Sequence, residues 1–305
     1  MQMRIHKLYL IAIALLLSCC SSLISQTQQG DSMLLVSTDW LEDHLHDSLM
    51  LLLHYGMKTD FEKEHIPGAR LVSIWDILVE NEEGVRHELP GKEELEKVLR
   101  SWGIHNDSKI IICYQDGNAI PMAARLFYTL DYAGLGHQTA MLNGGLRAWK
   151  EEGKALSREV ASFSEGTVDV VINEDVRITK QEVLSNLDRD NVLIVDARPY
   201  ERYAGIEGTE NSGRQGHIPG AVNIPFHETT EEDAFHLFKP VQDLKQLFPE
   251  QMQNQDSMLI TYCGTGIWAS PLYFTARLLG YRVRLYDGSF QEWQQDEALP
   301  LSKTH

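Results

Sequence analysis

The sequence predicts two consecutive α/β domains, each a parallel β-sheet with helices on both faces, and three observations predict it. The chain has 305 residues, and roughly 100–200 residues make a domain. A series of landmarks runs through the chain twice. Within each copy, short apolar runs alternate with helical stretches, the pattern of strands buried on both faces of a parallel sheet.

Residues 1–19 are set apart from both copies. Arg4 and Lys7 give a positive start, and the apolar run from Leu8 to Leu17 is too short to cross a bilayer. Leu16-Leu17-Ser18-Cys19 follows and resembles the bacterial lipobox. That resemblance implies a lipoprotein signal peptide over 1–19, acylation of Cys19, and a lipid anchor at the cell envelope, on the periplasmic or outer-membrane side. An ordinary signal peptide, an uncleaved anchor and lipidation of Cys20 are the alternatives. Residues 20–32 are polar and read as a flexible tether.

The first domain is expected over 33–154. Its strand runs are 49–54 (LMLLLH) and 109–114 (KIIICY), with His65-Ile66-Pro67-Gly68-Ala69 between them. A helical stretch follows over 121–133, then Asn143-Gly144-Gly145 and Trp149. Residues 155–176 are polar and aperiodic and read as a linker. The second domain, 177–305, repeats the order: 192–196 (VLIVD), His217-Ile218-Pro219-Gly220-Ala221, 257–262 (SMLITY), a helix over 269–279, then Asp287-Gly288-Ser289 and Trp293. Offsets between matching landmarks run from 144 to 152 residues, a period that means whole duplicated domains and no solenoid.

Charge and cysteines exclude several functions. With 44 acidic against 27 basic residues the formal charge is -17, which repels nucleic-acid backbones. Cys113 and Cys263 are the cysteines of the globular part, too few for a disulfide framework. No Cys/His cluster has metal-ligand spacing, so no metal or organic cofactor is expected.

The landmarks in this order, ending in Tyr286-Asp287-Gly288-Ser289 with Glu292 and Trp293, resemble the tandem rhodanese family over about residues 33–302. The resemblance implies a sulfurtransferase whose active cysteine lies in the second domain. Cys263 ends a strand and opens Cys263-Gly264-Thr265-Gly266-Ile267-Trp268-Ala269-Ser270 before a helix. Glycines let backbone N–H groups turn inward, and a helix N-terminus adds partial positive charge. Both are expected to depress the thiol pKa and hold a solvent-accessible thiolate or persulfide, so Gly264, Gly266, Ile267 and Trp268 are expected substrate contacts. The competing reading is a buried structural cysteine. Gln115 stands at the matching place in the first domain and cannot form a persulfide; Cys113, within an apolar strand, reads as core. Phosphatases of this fold carry arginine six positions after the cysteine, where this chain has Ala269.

The neutral Gly264 and Thr265 are similar to the loop start of 3-mercaptopyruvate sulfurtransferases rather than of thiosulfate-preferring relatives. That resemblance implies a hydroxyl–imidazole–carboxylate set handling protons: Thr265, His87 (in Arg86-His87-Glu88-Leu89-Pro90-Gly91) and Asp76, although simple alignment puts Trp75 at the acid's position. It also implies Arg202 and Arg214 as grips for the donor carboxylate. Asp196 and Arg198 read as organisers of the strand end, and His217 as a structural residue of its turn. Trp268 departs from the family, which has Thr or Arg there. The expected partners are a small anionic sulfur donor, mercaptopyruvate before thiosulfate, and a thiol, cyanide or protein acceptor, on a monomeric chain. The rival function is a non-catalytic binding or sulfur-carrier module at the envelope.

Overall fold

The computed structural model describes residues 33–160, 162–207, 214–234, 236–254 and 256–304. The segment expected to be a signal peptide, Cys19 and the expected tether lie outside the described residues.

Twelve strands occur among the described residues: β1 (Leu35–Val36), β2 (Met50–Tyr55), β3 (Arg70–Val72), β4 (Val79–Glu80), β5 (Arg86–Glu88), β6 (Lys109–Tyr114), β7 (Thr139–Leu142), β8 (Arg177–Ile178), β9 (Val192–Asp196), β10 (Val222–Asn223), β11 (Met258–Tyr262) and β12 (Val283–Tyr286). Ten form two five-stranded sheets, β1-β7-β6-β2-β3 and β8-β12-β11-β9-β10, and every pairing in them is parallel. Position for position the orders coincide, so the duplication read from the landmarks is a duplication of topology. The longest strands, β6 and β2, pair over six residues at the middle of the first sheet, where an Ile-Ile-Ile run belongs.

Strand alternation sorts side chains onto two faces. On the outer face of the first sheet, Leu52, Ile111 and Cys113 pack with Leu41, Phe61, Leu146 and Trp149 from helices. Its inner face, with Leu53, Ile110 and Ile112, joins a core that also holds Leu193, Val195 and Leu259 of the second sheet. The outer face of the second sheet packs Ile194, Ile260 and Tyr262 against Val183, Phe290 and Trp293. Two matching helices fill the shared core, Ile120–Tyr132 and Ser270–Leu278, each with Pro in its first turn. Their rings meet edge to face: Phe127 with Phe274 at 4.9 Å and Tyr128 with Tyr273 at 5.0 Å. Both helices are apolar nearly all round because both are buried between the domains.

Among the described residues of 155–176 there is no strand and only a short 3₁₀ turn at Glu174–Val176, and the segment is strapped to the first domain. Gly166 and Val168 donate to the carbonyls of Arg100 and Ile104, and Val168 and Val170 are fully buried. The two His-Ile-Pro-Gly-Ala turns are built alike. His65 Nδ1 donates to the Phe61 carbonyl (2.6 Å) and the ring stacks on Phe61 at 3.9 Å. His217 Nδ1 donates to the Tyr203 carbonyl (2.9 Å) and stacks on Tyr203 at 3.9 Å. Each histidine also bridges to the segment that follows its domain's last helix, at Ser157 and Ser302. These rings lock turns, which accounts for His217 without chemistry.

Candidate active site

β11 delivers Cys263 to the C-terminal end of the second sheet, where open α/β sheets place their sites. The following turn reaches the helix Ser270–Leu278 through Gly266, whose φ is +83°. A Cβ there would lie 2.8 Å from an Arg125 Nη and 3.0 Å from the Asp287 carbonyl oxygen, so glycine is required twice over, by conformation and by space. The turn after β12 grips the same loop from behind. Ser289 Oγ accepts from the Cys263 N–H (3.3 Å), and the Cys263 and Gly264 carbonyls accept from the N–H groups of Phe290 and Gln291.

The N–H groups of Thr265, Ala269 and Trp268 face the Cys263 sulfur and pull its pKa down, but burial outweighs them and the net direction is up. The residue is 1% exposed. The expectation of a depressed, solvent-accessible thiol is therefore corrected: the cradle of donors exists, but it lies in a site dry enough that desolvation dominates. Beneath the loop, Asp196 is fully buried and takes a bidentate grip from Arg198 (2.6–3.0 Å). Its negative charge also raises the Cys263 thiol.

His87 comes from the other domain. β4 and β5 form a small antiparallel hairpin that leans on the second domain: Gln291 donates to the Arg86 carbonyl and accepts from the Arg86 N–H. This places His87 Nδ1 3.1 Å from Thr265 Oγ1. His87 has φ +66°, a left-handed conformation that a non-glycine residue holds only when its surroundings insist. The insistence comes from fully buried Arg125, which donates to the His87 carbonyl (2.7 Å) and pairs with Asp287 Oδ1 (2.5 Å). Asp287 Oδ2 accepts from the Leu89 N–H (2.7 Å). Burial, with Arg86 and Arg125 nearby, depresses the His87 pKa and favours the neutral ring.

The remaining predicted residues divide. Asp76 is exposed, and its side chain has no hydrogen bond or ion pair among the described residues. Trp75 instead stands beside His87, ring centres 5.7 Å apart, so Asp76 is withdrawn as the third member of the set. The carboxylates whose charge reaches His87 are Asp287 and Glu80. Arg214 is also withdrawn as a donor grip: its guanidinium donates to the carbonyls of Asp296 and Leu299, both at 2.6 Å, and so pins the C-terminal segment. Arg202 lies over the Trp268 ring at 5.6 Å, beside the loop. Ile267 is buried, while Gly264 and Thr265 are half-buried. Cys113 is fully buried, with its thiol pushed far up by desolvation. Gln115 in the first domain accepts from fully buried His54 at 3.2 Å.

Arg125 escaped the sequence reading, and Asp287 entered it only as a landmark and not as the partner of Arg125 and Leu89. Arg125 stands alone as a cation in IPMAARLFYTLDY, a helix otherwise suited to complete burial; that lone charge was the available clue.

Similarity agrees with this architecture. The model of the rhodanese-like domain matches residues 37–152 and again 179–296. The sulfur carrier protein TtuD of Thermus thermophilus is 32% identical over 88% of this chain and 96% of its own length. The 3-mercaptopyruvate sulfurtransferase of Escherichia coli is 28% identical over 87% and 96%. Among solved structures, wild-type EanB superposes with a TM-score of 0.78 at 22% identity, covering 89% of this chain and 69% of that one, a likeness of fold. Two rhodanese-like domains in tandem, and homologues that are 3-mercaptopyruvate and thiosulfate sulfurtransferases, place the chain in the rhodanese family as a sulfurtransferase.

Proposed function

We propose that Cys263 takes sulfane sulfur from 3-mercaptopyruvate, with thiosulfate as second donor, holds it as a persulfide, and passes it to a thiol, cyanide or protein acceptor. The observation that carries this reading is the meeting of His87 with Thr265 at 3.1 Å, next to a cysteine whose sulfur faces three loop N–H groups. In the first half-reaction Cys263 attacks the donor sulfur, an S–S bond forms and the donor C–S bond breaks. The Cys263 proton passes by way of Thr265 to neutral His87 and on to the leaving enolate, giving pyruvate. In the second, the acceptor attacks the outer sulfur, the S–S bond breaks and Cys263 is restored, a ping-pong scheme. Thr265 and His87 also answer the burial of Cys263: a lone thiolate is costly there, and proton transfer during attack avoids it. No organic cofactor or metal takes part in these steps.

A carrier that stores sulfur without turning over a donor is the second reading. It is supported by the buried Cys263 and by the relative named a sulfur carrier. We further propose that the chain is a monomer held at the bacterial envelope by lipid on Cys19, on the strength of Leu16-Leu17-Ser18-Cys19 after an apolar run. Intact-mass and peptide mass spectrometry of protein from the membrane fraction tests these points together. An N-terminal acylated Cys19 is expected, and after mercaptopyruvate one added sulfur on Cys263, lost on adding cyanide with release of thiocyanate. Full sulfur exchange by Cys263→Ser would refute the mechanism. A persulfide formed from an external persulfide donor but never from mercaptopyruvate or thiosulfate would favour the carrier.

A further inference from the structure

We propose that Trp268 is a positioning residue that selects anionic sulfur donors by holding Arg202 at the rim of the Cys263 loop. The proposal rests on the sulfurtransferase reading above and deepens it by naming the feature of the donor that is recognised.

Trp268 lies within the loop that wraps the sulfur, five residues after Cys263 and immediately before buried Ala269. Its place is therefore fixed by the same turn that fixes the nucleophile. Its indole is half-buried and packs against the shared core and against Phe226, ring centres 5.5 Å apart at 35°. The ring is thus a fixed shelf. Arg202, on the short helix Tyr200–Ala204, sets its guanidinium 5.6 Å from the centre of that ring. Among the described residues it makes no side-chain hydrogen bond or ion pair.

A cation held by an aromatic ring is attracted by the ring quadrupole, and the contact leaves its N–H edge available for two parallel hydrogen bonds. A planar carboxylate fits that edge bidentately. The sulfonate oxygens of thiosulfate can take the same edge, so the contact separates anionic donors from an uncharged one, which gains nothing from it. On a chain of net charge -17, an arginine in this position draws an anion to the mouth against the overall field. A threonine at 268 would offer no π face to Phe226 or to the guanidinium, and Arg202 would then sample its rotamers in solvent. The tryptophan that departs from the pattern supplies pre-organisation in place of a hydroxyl.

Steady-state kinetics with 3-mercaptopyruvate and with its uncharged methyl ketone analogue 1-mercaptopropan-2-one, for wild type, Trp268→Phe, Trp268→Leu and Arg202→Ala, tests the idea. Leucine keeps the apolar packing and removes the π face; phenylalanine keeps both. Trp268→Leu is expected to raise KM for mercaptopyruvate about threefold to tenfold, with the loss on KM rather than kcat and no matching rise for the uncharged analogue. Trp268→Phe is expected to recover most of the affinity. In an Arg202→Ala background the Trp268→Leu effect should vanish, because both act on one contact. Equal KM changes for the two donors, equal behaviour of Phe and Leu, or an undiminished Trp268→Leu effect without Arg202 would each overturn the proposal while leaving the sulfurtransferase intact. A wild-type protein that forms no Cys263 persulfide with any donor would remove the underlying reading as well.

Discussion

His87 is held in a strained backbone conformation. A left-handed non-glycine residue costs on the order of 1 kcal/mol or more, and here Arg125 and Asp287 offset that cost with a buried ion pair and a hydrogen bond to the His87 carbonyl. The depressed His87 pKa has a readable consequence. As pH falls through the ordinary range of histidine, His87 protonates later than an unperturbed imidazole would and keeps its capacity to accept a proton to lower pH. The acid limb of kcat/KM for mercaptopyruvate is therefore expected to lie below the ordinary histidine range. Replacing His87 by Gln should lower kcat/KM by about 100-fold and abolish that acid limb; an unchanged profile in the variant would assign the proton transfer elsewhere. That Thr265 and His87 would meet beside Cys263 was legible because each sits in a compact motif. That Asp76 would not join them was not, because a 3₁₀ turn, Ile74–Ile77, decides which of two adjacent side chains stands beside His87. One residue of phase in such a turn is invisible in sequence.

At the level of elements, the loop after β11 distinguishes its two glycines sharply. Gly266 has φ +83° and no room for a methyl group, whereas a Cβ at Gly264 meets nothing within 4 Å. Gly266→Ala is expected to cost at least about 1 kcal/mol in urea unfolding and to depress sulfur transfer, because the new methyl pushes on Arg125 and so on His87. Gly264→Ala should leave stability within about 0.5 kcal/mol of wild type. Equal losses at both positions would mean that loop entropy, and not the Arg125 contact, governs the site. The central strands and the two core helices were readable because apolar periodicity reports burial directly. The β4–β5 hairpin was not, since its residues are polar and it is held by a few cross-domain hydrogen bonds rather than by a buried face.

Across the whole molecule, duplication was plain from repeated landmarks, while the way the copies share labour was not. A repeat reveals two similar bodies; it does not reveal that the inner faces of both sheets belong to one core, or that segments cross over. The crossing is reciprocal. Leu89 of the first domain donates its N–H to Asp287 of the second, and Phe238 of the second donates its N–H to Asn143 at the equivalent turn of the first (3.0 Å). Two residues before these donors stand His87 and His236, one in each arm. His87 meets Thr265, whereas in the first domain Gln115 has replaced the cysteine and His236 lies buried 3.4 Å from Glu151. Only one of the two crossings therefore ends at a nucleophile.

That His87 is carried on the same covalent chain as Cys263 has a consequence for how the enzyme behaves at low abundance. In an assembly of separate subunits, the two side chains would part on dilution; here the tether keeps their effective concentration fixed. Turnover per molecule should therefore be the same in a concentrated and in a very dilute assay, and a specific activity that drops with dilution would reveal a partner chain completing the site.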